Sequence, residues 1–171
     1  MLLAAFCLTA AGAESASQLL NRSANKIKSA KSLVASYTIS SDGHSQTGIM
    51  TVSADRFTIS SPQLVSWFDG KTQWTYSAHT GEVNVTEPTP EELQQINPFE
   101  IIRTFGSKYK AQLLQSPAGS KKIRLTALSP KSDIKGVVLT LNSTTLLPSH
   151  IDLTMSNNQK VSIAITRIEE G

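Results

Sequence analysis

The residues that could do chemistry in this chain are few, and their spacing assembles no reactive group. Histidine occurs at 44, 79 and 150, each in a turn or at a strand end, with no second ligand at metal-binding spacing. Asp42, Asp55 and Asp69 sit in turn signals, and Glu91 and Glu92 at a helix start. No Gly-x-Ser-x-Gly elbow, phosphate loop or dinucleotide fingerprint occurs. No catalytic residue, metal site or cofactor is therefore expected. The informative cluster is Asp69-Gly70-Lys71-Thr72-Gln73-Trp74-Thr75-Tyr76. Trp74 and Tyr76 are two apart, so on a strand they share one face. Contact with an apolar ligand is the chemistry such a face suits.

The elements that must position this hairpin follow from punctuation and period. Asp69-Gly70 supplies the positive φ that a tight hairpin turn needs. Residues 17–31 read as an amphipathic helix, with Leu19, Leu20, Ser23, Ala24 and Ile27 on one side and Ser17 as its cap. From Leu33 the period becomes two, predicting strands at 34–41, 45–53, 56–60, 64–68, 72–78 and 82–86. Their connectors are two or three residues long, which permits antiparallel hairpins and no parallel crossovers. At Glu87-Pro88-Thr89-Pro90 the pattern breaks. Thr89 caps a short helix with Pro90 in its first turn and Glu91 and Glu92 at its positive end. Asn97-Pro98 restarts a second helix through Phe99, Ile101, Ile102 and Phe105, ended by Gly106. Further strands are predicted at 108–115, 121–128, 136–142, 150–155 and 160–168.

Alternation in these last strands is clean. Ile151, Leu153 and Met155 oppose Asp152 and Thr154, giving one greasy and one polar face. The expected fold class is α+β, mainly antiparallel β. It would be a curved, half-open barrel of about ten strands, with an N-terminal helix and the inserted helices covering its concave face. Its lining is mostly aliphatic, which leaves either a cavity or an ordinary filled core.

The length of 171 residues suits one domain, expected over residues 14–171. Residues 2–13 are uncharged, too short to span a bilayer, and end in Ala11-Gly12-Ala13, the pattern of a signal-peptidase site. Residues 1–13 are read as a partial secretory signal, the missing basic segment being expected upstream. The sole cysteine, Cys7, lies inside it behind Phe6, where lipidation needs a small residue. The cleaved chain would hold no disulfide, thiolate nucleophile or Cys-ligated metal. Sixteen basic against thirteen acidic groups leave a net charge of +3. The densest group is Lys26, Lys28 and Lys31, with no interleaved aromatics, so nucleic acid is not an expected partner. The chain is not expected to span a membrane.

In order and spacing, three segments carry a resemblance: Ala35-Ser36-Tyr37-Thr38, the hairpin at 69–76, and Asn97-Pro98-Phe99-Glu100-Ile101-Ile102. The chain resembles the periplasmic outer-membrane lipoprotein carrier family (LolA) over most of residues 17–168. In that family a half-open barrel and helical lid enclose an apolar cavity for the acyl chains of a lipoprotein. An inner-membrane lipoprotein-releasing transporter loads it, and an outer-membrane acceptor takes the cargo. The resemblance implies a periplasmic carrier with lipidated proteins as partners. The expected lining is Met50, Val52, Phe57, Ile59, Trp67, Trp74, Tyr76, Leu139, Leu153 and Met155, with Phe99 and Ile102 from the lid. A barrel arginine latches the lid in the family, and Arg56 is its match, although Phe57 stands where proline usually follows. Family members also continue past the strand at 160–168, so a shortened or truncated relative is expected here.

Two other readings stand beside the carrier. One is a periplasmic lipid or lipoprotein sensor on the same fold, which predicts a further signalling domain. The other is an envelope-polymer hydrolase, which needs convergent carboxylates or a Ser-His pair in the concave face.

Overall fold

Short, turn-rich connectors leave consecutive strands only the antiparallel arrangement, and the structure has no other. A computed structural model describes residues 14–171; the segment expected to be a signal, with Cys7, lies outside them. Helix α1 (Ala16–Ser29) leads into β1 (Leu33–Ser41), β2 (His44–Ser53), β3 (Arg56–Ser60), β4 (Leu64–Phe68), β5 (Gln73–Ser77) and β6 (Val83–Thr86). Helices α2 (Pro90–Ile96) and α3 (Phe99–Lys108) follow. Then come β7 (Tyr109–Leu114), β8 (Ser120–Ala127), β9 (Ile134–Asn142), β10 (Pro148–Met155) and β11 (Lys160–Glu170).

All eleven strands form one sheet in the order β6-β5-β4-β3-β2-β1-β11-β10-β9-β8-β7. The pairing of β1 with β11 puts the first and last strands in the middle, with one bulge between Ser36 and Tyr37. The sheet is not closed. Its two edges, β6 and β7, are joined in the chain by the α2–α3 insertion, which is how two short helices come to cover one face.

Local rules explain the helix ends, with two corrections. Ser15, not Ser17, caps α1: its Oγ accepts from Gln18 N at 3.2 Å while Gln18 Oε1 accepts from Ser15 N at 2.9 Å, a reciprocal capping box. Gly106 does not end α3, which runs to Lys108 and stops where Tyr109 turns extended into β7. Thr89 caps α2 as its sequence predicts, its Oγ1 accepting from Glu92 N at 3.2 Å. Asn97 holds the joint between the inserted helices, its buried Oδ1 accepting from Phe99 N at 3.1 Å.

Leu19, Leu20, Ser23 and Ile27 bury the inner stripe of α1, and Ser23 Oγ donates to Leu146 O at 2.7 Å. On the facing sheet Ile123, Leu125, Val137, Leu139, Leu141 and Ile151 are almost wholly buried. Under the other half of the sheet Phe57 stacks on Phe68 with ring centroids 5.1 Å apart. That pair fixes which side of β3 and β4 is the inner one.

Candidate functional site

Between the helices and the β1–β5 half of the sheet the core does not fill. A cavity of about 320 Å³ remains there, lined in part by Ala35, Ile39, Met50, Ile59, Ile163 and Ile165. Its remaining walls include Tyr37, Gln46, Leu64 and Ile151 from strands, and Gln95, Ile96, Pro98 and Phe99 from the inserted segment. Branched aliphatics on a curved sheet leave space that aromatics would close. The volume is at the low end of the ~300–1,000 Å³ usual for ligand pockets.

One wall is polar. Ser66, Gln73 and Thr75 project from β4 and β5, with Gln73 Nε2 donating to Ser66 Oγ at 2.7 Å. Ser66 Oγ and Thr75 Oγ1 share a hydrogen bond of 2.9 Å. Tyr37 lies over Gly48, where an added Cβ would stand 2.6 Å from the tyrosine Cζ. Only a residue without a side chain lets this ring rest against the sheet and keep out of the cavity. Burial raises the Tyr37 pKa above the ordinary phenol value.

The helical cover is tied down by side chains on α2 and α3. Arg103 Nη2 bonds Asp55 Oδ1 at 2.5 Å, and its Nη1 bonds Glu100 Oε1 at 2.6 Å and Ala54 O at 3.4 Å. Asp55 and Ala54 form the β2–β3 turn, so this arginine clasps α3 to the sheet. Burial opposes its charge, yet the bond to Asp55 and the charge of Glu100 prevail and raise its pKa. At the other end Tyr109 Oη donates to Gln94 Oε1 at 3.0 Å, and Gln94 Nε2 donates to Thr104 Oγ1 at 3.0 Å. Burial, with Glu91 nearby, pushes the Tyr109 phenol up to about 12.

The structure sorts the expected lining residues into four groups. Met50, Ile59 and Phe99 line the cavity. Val52, Phe57, Ile102, Leu139 and Leu153 are buried in the packed core beside it. Met155 packs half-buried against that core. Trp67, Trp74 and Tyr76 are a correction: they lie on the opposite, outer face. Trp67 pairs with Trp74, and Tyr76 and Trp74 pair with the exposed Val83 and Val85 of β6. Period two is the cause, since a strand that turns Ser66, Phe68, Gln73 and Thr75 inward must turn its tryptophans out.

Arg56 is exposed at the start of β3 and close enough to Asp69 to help hold that carboxyl below its usual range. Backbone N–H groups of Thr72 and Lys71 act more strongly on Asp69. In the structure the bond between lid and sheet runs from Arg103, not Arg56. Sequence reasoning missed Arg103 and the Ser66–Gln73–Thr75 wall. The signal for the wall was the Phe57–Phe68 register.

Asp69 also departs from a two-residue turn. Only Gly70 of the pair has positive φ, at 106°, and Asp69 Oδ1 accepts from Lys71 N and Thr72 N at 2.9 and 2.8 Å. The loop is an aspartate-stabilised turn of four residues.

A second depression, about 580 Å³, borders Asp42, Arg124, Asp152 and Lys160. Its four charged side chains make it a poor place for hydrocarbon. Among the described residues no group of three or more His, Cys, Asp or Glu is placed to hold a metal. Nor is any of their helices long and apolar enough to cross a membrane.

Among curated proteins none matches this sequence. Solved structures show the fold. A conserved protein from Thermus thermophilus superposes with a TM-score of 0.61 at 9% identity, 90% of this chain covering 86% of that one. A domain from Vibrio parahaemolyticus described as outer membrane lipoprotein-sorting superposes with a TM-score of 0.51 at 10% identity, over 90% and 91% of the two chains. MucB of Pseudomonas aeruginosa gives a TM-score of 0.52 at 19% identity, with 91% of this chain spanning 58% of MucB. The decisive match is to a family model covering residues 6–159, and the chain belongs to the family of the outer membrane lipoprotein carrier protein LolA.

Proposed function

We propose that the protein is a periplasmic carrier that holds acyl chains of lipidated proteins in the inner cavity and moves them from the inner to the outer membrane. The observation that carries this reading is the cavity itself. It is walled by isoleucine, methionine and phenylalanine and lies beneath inserted helices that pack Phe99, Ile101, Ile102 and Phe105 on the core and add a few polar bonds to it. Each methylene moved out of water contributes about 0.8 kcal/mol, so one acyl chain supplies ample affinity. At about 320 Å³ the cavity is small for several chains, so loading them requires α2 and α3 to lift.

In this reading an inner-membrane lipoprotein-releasing transporter loads the protein and an outer-membrane acceptor unloads it. The Arg103–Asp55 clasp takes the place of the expected Arg56 latch. Carriage of a bound chain needs no reactive group, in keeping with a binding protein and not an enzyme.

Native mass spectrometry with a synthetic palmitoylated peptide tests this. A one-to-one adduct is expected, weakened in Ala35→Phe, which narrows the cavity, and kept in Trp74→Glu on the outer face. No adduct, or one lost only in Trp74→Glu, would contradict the reading.

A further inference from the structure

The polar wall of the cavity has more hydrogen-bonding capacity than it uses. Ser66 and Gln73 are 2% and 8% exposed, Thr75 is half-buried, and all three line the cavity. The glutamine amide carries two donor hydrogens and each hydroxyl carries one. Their mutual contacts are two, Gln73 to Ser66 and Ser66 with Thr75. Each contact consumes one hydrogen whichever atom gives it, so two of the four remain. Turning the amide over changes which hydrogens are spare, not how many. Among the described residues, these side chains make no other hydrogen bond.

Hydrocarbon laid along this wall would leave those donors without acceptors, which is costly in a dry site. A carbonyl oxygen matches them, having two lone pairs and no hydrogen. The sheet order also gives the site a direction. β5 and β4 lie next to the open edge strand β6, whereas Ile151, Ile163 and Ile165 stand on β10 and β11 toward the middle. Leu64, 36% exposed, forms the rim on the β4 side.

We propose that Ser66, Gln73 and Thr75 bind the carbonyl oxygen of an ester- or amide-linked acyl chain, so that the cavity reads the linkage as well as the hydrocarbon. The chain then runs toward the isoleucines of β10 and β11, and the head of the ligand leaves past Leu64. This inference rests on the acyl-binding reading above and narrows its ligand class.

The test titrates the full chain with dipalmitoyl glycerol and with its dihexadecyl ether, which has the same chain length without carbonyl oxygens. The ester is expected to bind about tenfold tighter, the effect of roughly one well-placed hydrogen bond. In Ser66→Ala/Gln73→Leu/Thr75→Val, which carries none of the four hydrogens, that ratio falls to about one, and the ether binds at least as tightly because it no longer leaves donors unmatched. If the three residues merely staple β4 to β5, both ligands weaken together at an unchanged ratio, and the inference is overturned. Equal binding of both by the unaltered protein overturns it alone; binding of neither overturns the acyl reading with it.

Should this variant not fold, Gln73→Leu alone, which leaves one spare hydrogen where there were two, is expected to lower the ratio. An unchanged ratio there is equally fatal. Parallel titrations with a tripalmitoylated cysteinyl peptide and with dipalmitoyl phosphatidylglycerol separate a lipoprotein from a phospholipid source of the linkage. The tighter of the two names the source, and the ester-to-ether ratio alone decides the carbonyl site.

Discussion

Arg103 supplies the ion-paired tie between α3 and the β2–β3 turn. It is 24% exposed, and its partners differ: Glu100 is 17% exposed and Asp55 74%. A pair with one partner so wet contributes little Coulomb energy, so Arg103→Ala is expected to cost about 1 kcal/mol. That corresponds to a Tm lower by about 2–4 °C. The larger effect should be local, with faster amide hydrogen exchange in α3 and the β2–β3 turn but not in β8 or β9. Uniform acceleration would show that the clasp holds the whole fold and not the cover.

Tyr109 offers a second check at this scale. Its phenol titrates near 12 in the folded protein against about 10 when unfolded, so the folded state keeps its proton longer. The stability linked to the neutral phenol is complete below about pH 10 and is lost as the pH rises toward about 12. Thermal unfolding followed from pH 9 to 11 should show Tm falling above pH 10, and less steeply in Tyr109→Phe. Equal slopes would sink this assignment.

Pairing of β1 with β2 explains how the cavity stays open. Tyr37 and Gly48 are register partners, and the missing side chain at 48 lets the ring lie flat. In Gly48→Ala the methyl has nowhere to go, because Tyr37 and the Ser60 carbonyl both occupy its place. The ring should swing into the cavity, reducing acyl-probe affinity, and the clash with the Ser60 backbone carbonyl should lower Tm as well. Tyr37→Leu in the same chain should restore binding, and failure of that rescue would contradict the account.

The same elements show what a sequence can disclose. Strand positions, the α2–α3 insertion and its Thr89 cap were legible, because alternation, turn residues and capping act locally. The facing of β4 and β5 was not. Large aromatics draw an inward assignment, but Phe57 and Phe68 claimed the inner side, and one residue of parity sent Trp67 and Trp74 outward. Arg103 was silent as well, since its bond to Asp55 joins residues 48 apart in the chain. The polar wall was equally hidden, as serine, threonine and glutamine in a strand ordinarily signal the wet face.

For the whole molecule, the cavity, its cover and its open edge come from one topological choice. Pairing β1 with β11 centres the sheet on the chain's two ends and leaves β6 and β7 as separate edges. The segment between those edges in sequence must return across the inner face, and its two short helices become the cover. A closed barrel would bury the same apolar side chains without a gate. The central claim is that acyl chains lie inside this inner cavity and not on the outer aromatic stripe. Crystals grown with a palmitoylated peptide brominated at the chain terminus test it most directly through the anomalous signal of bromine. The account predicts a peak between Ile163, Ile165 and Phe99; a peak at Trp67 and Trp74, with the inner cavity empty, would contradict it.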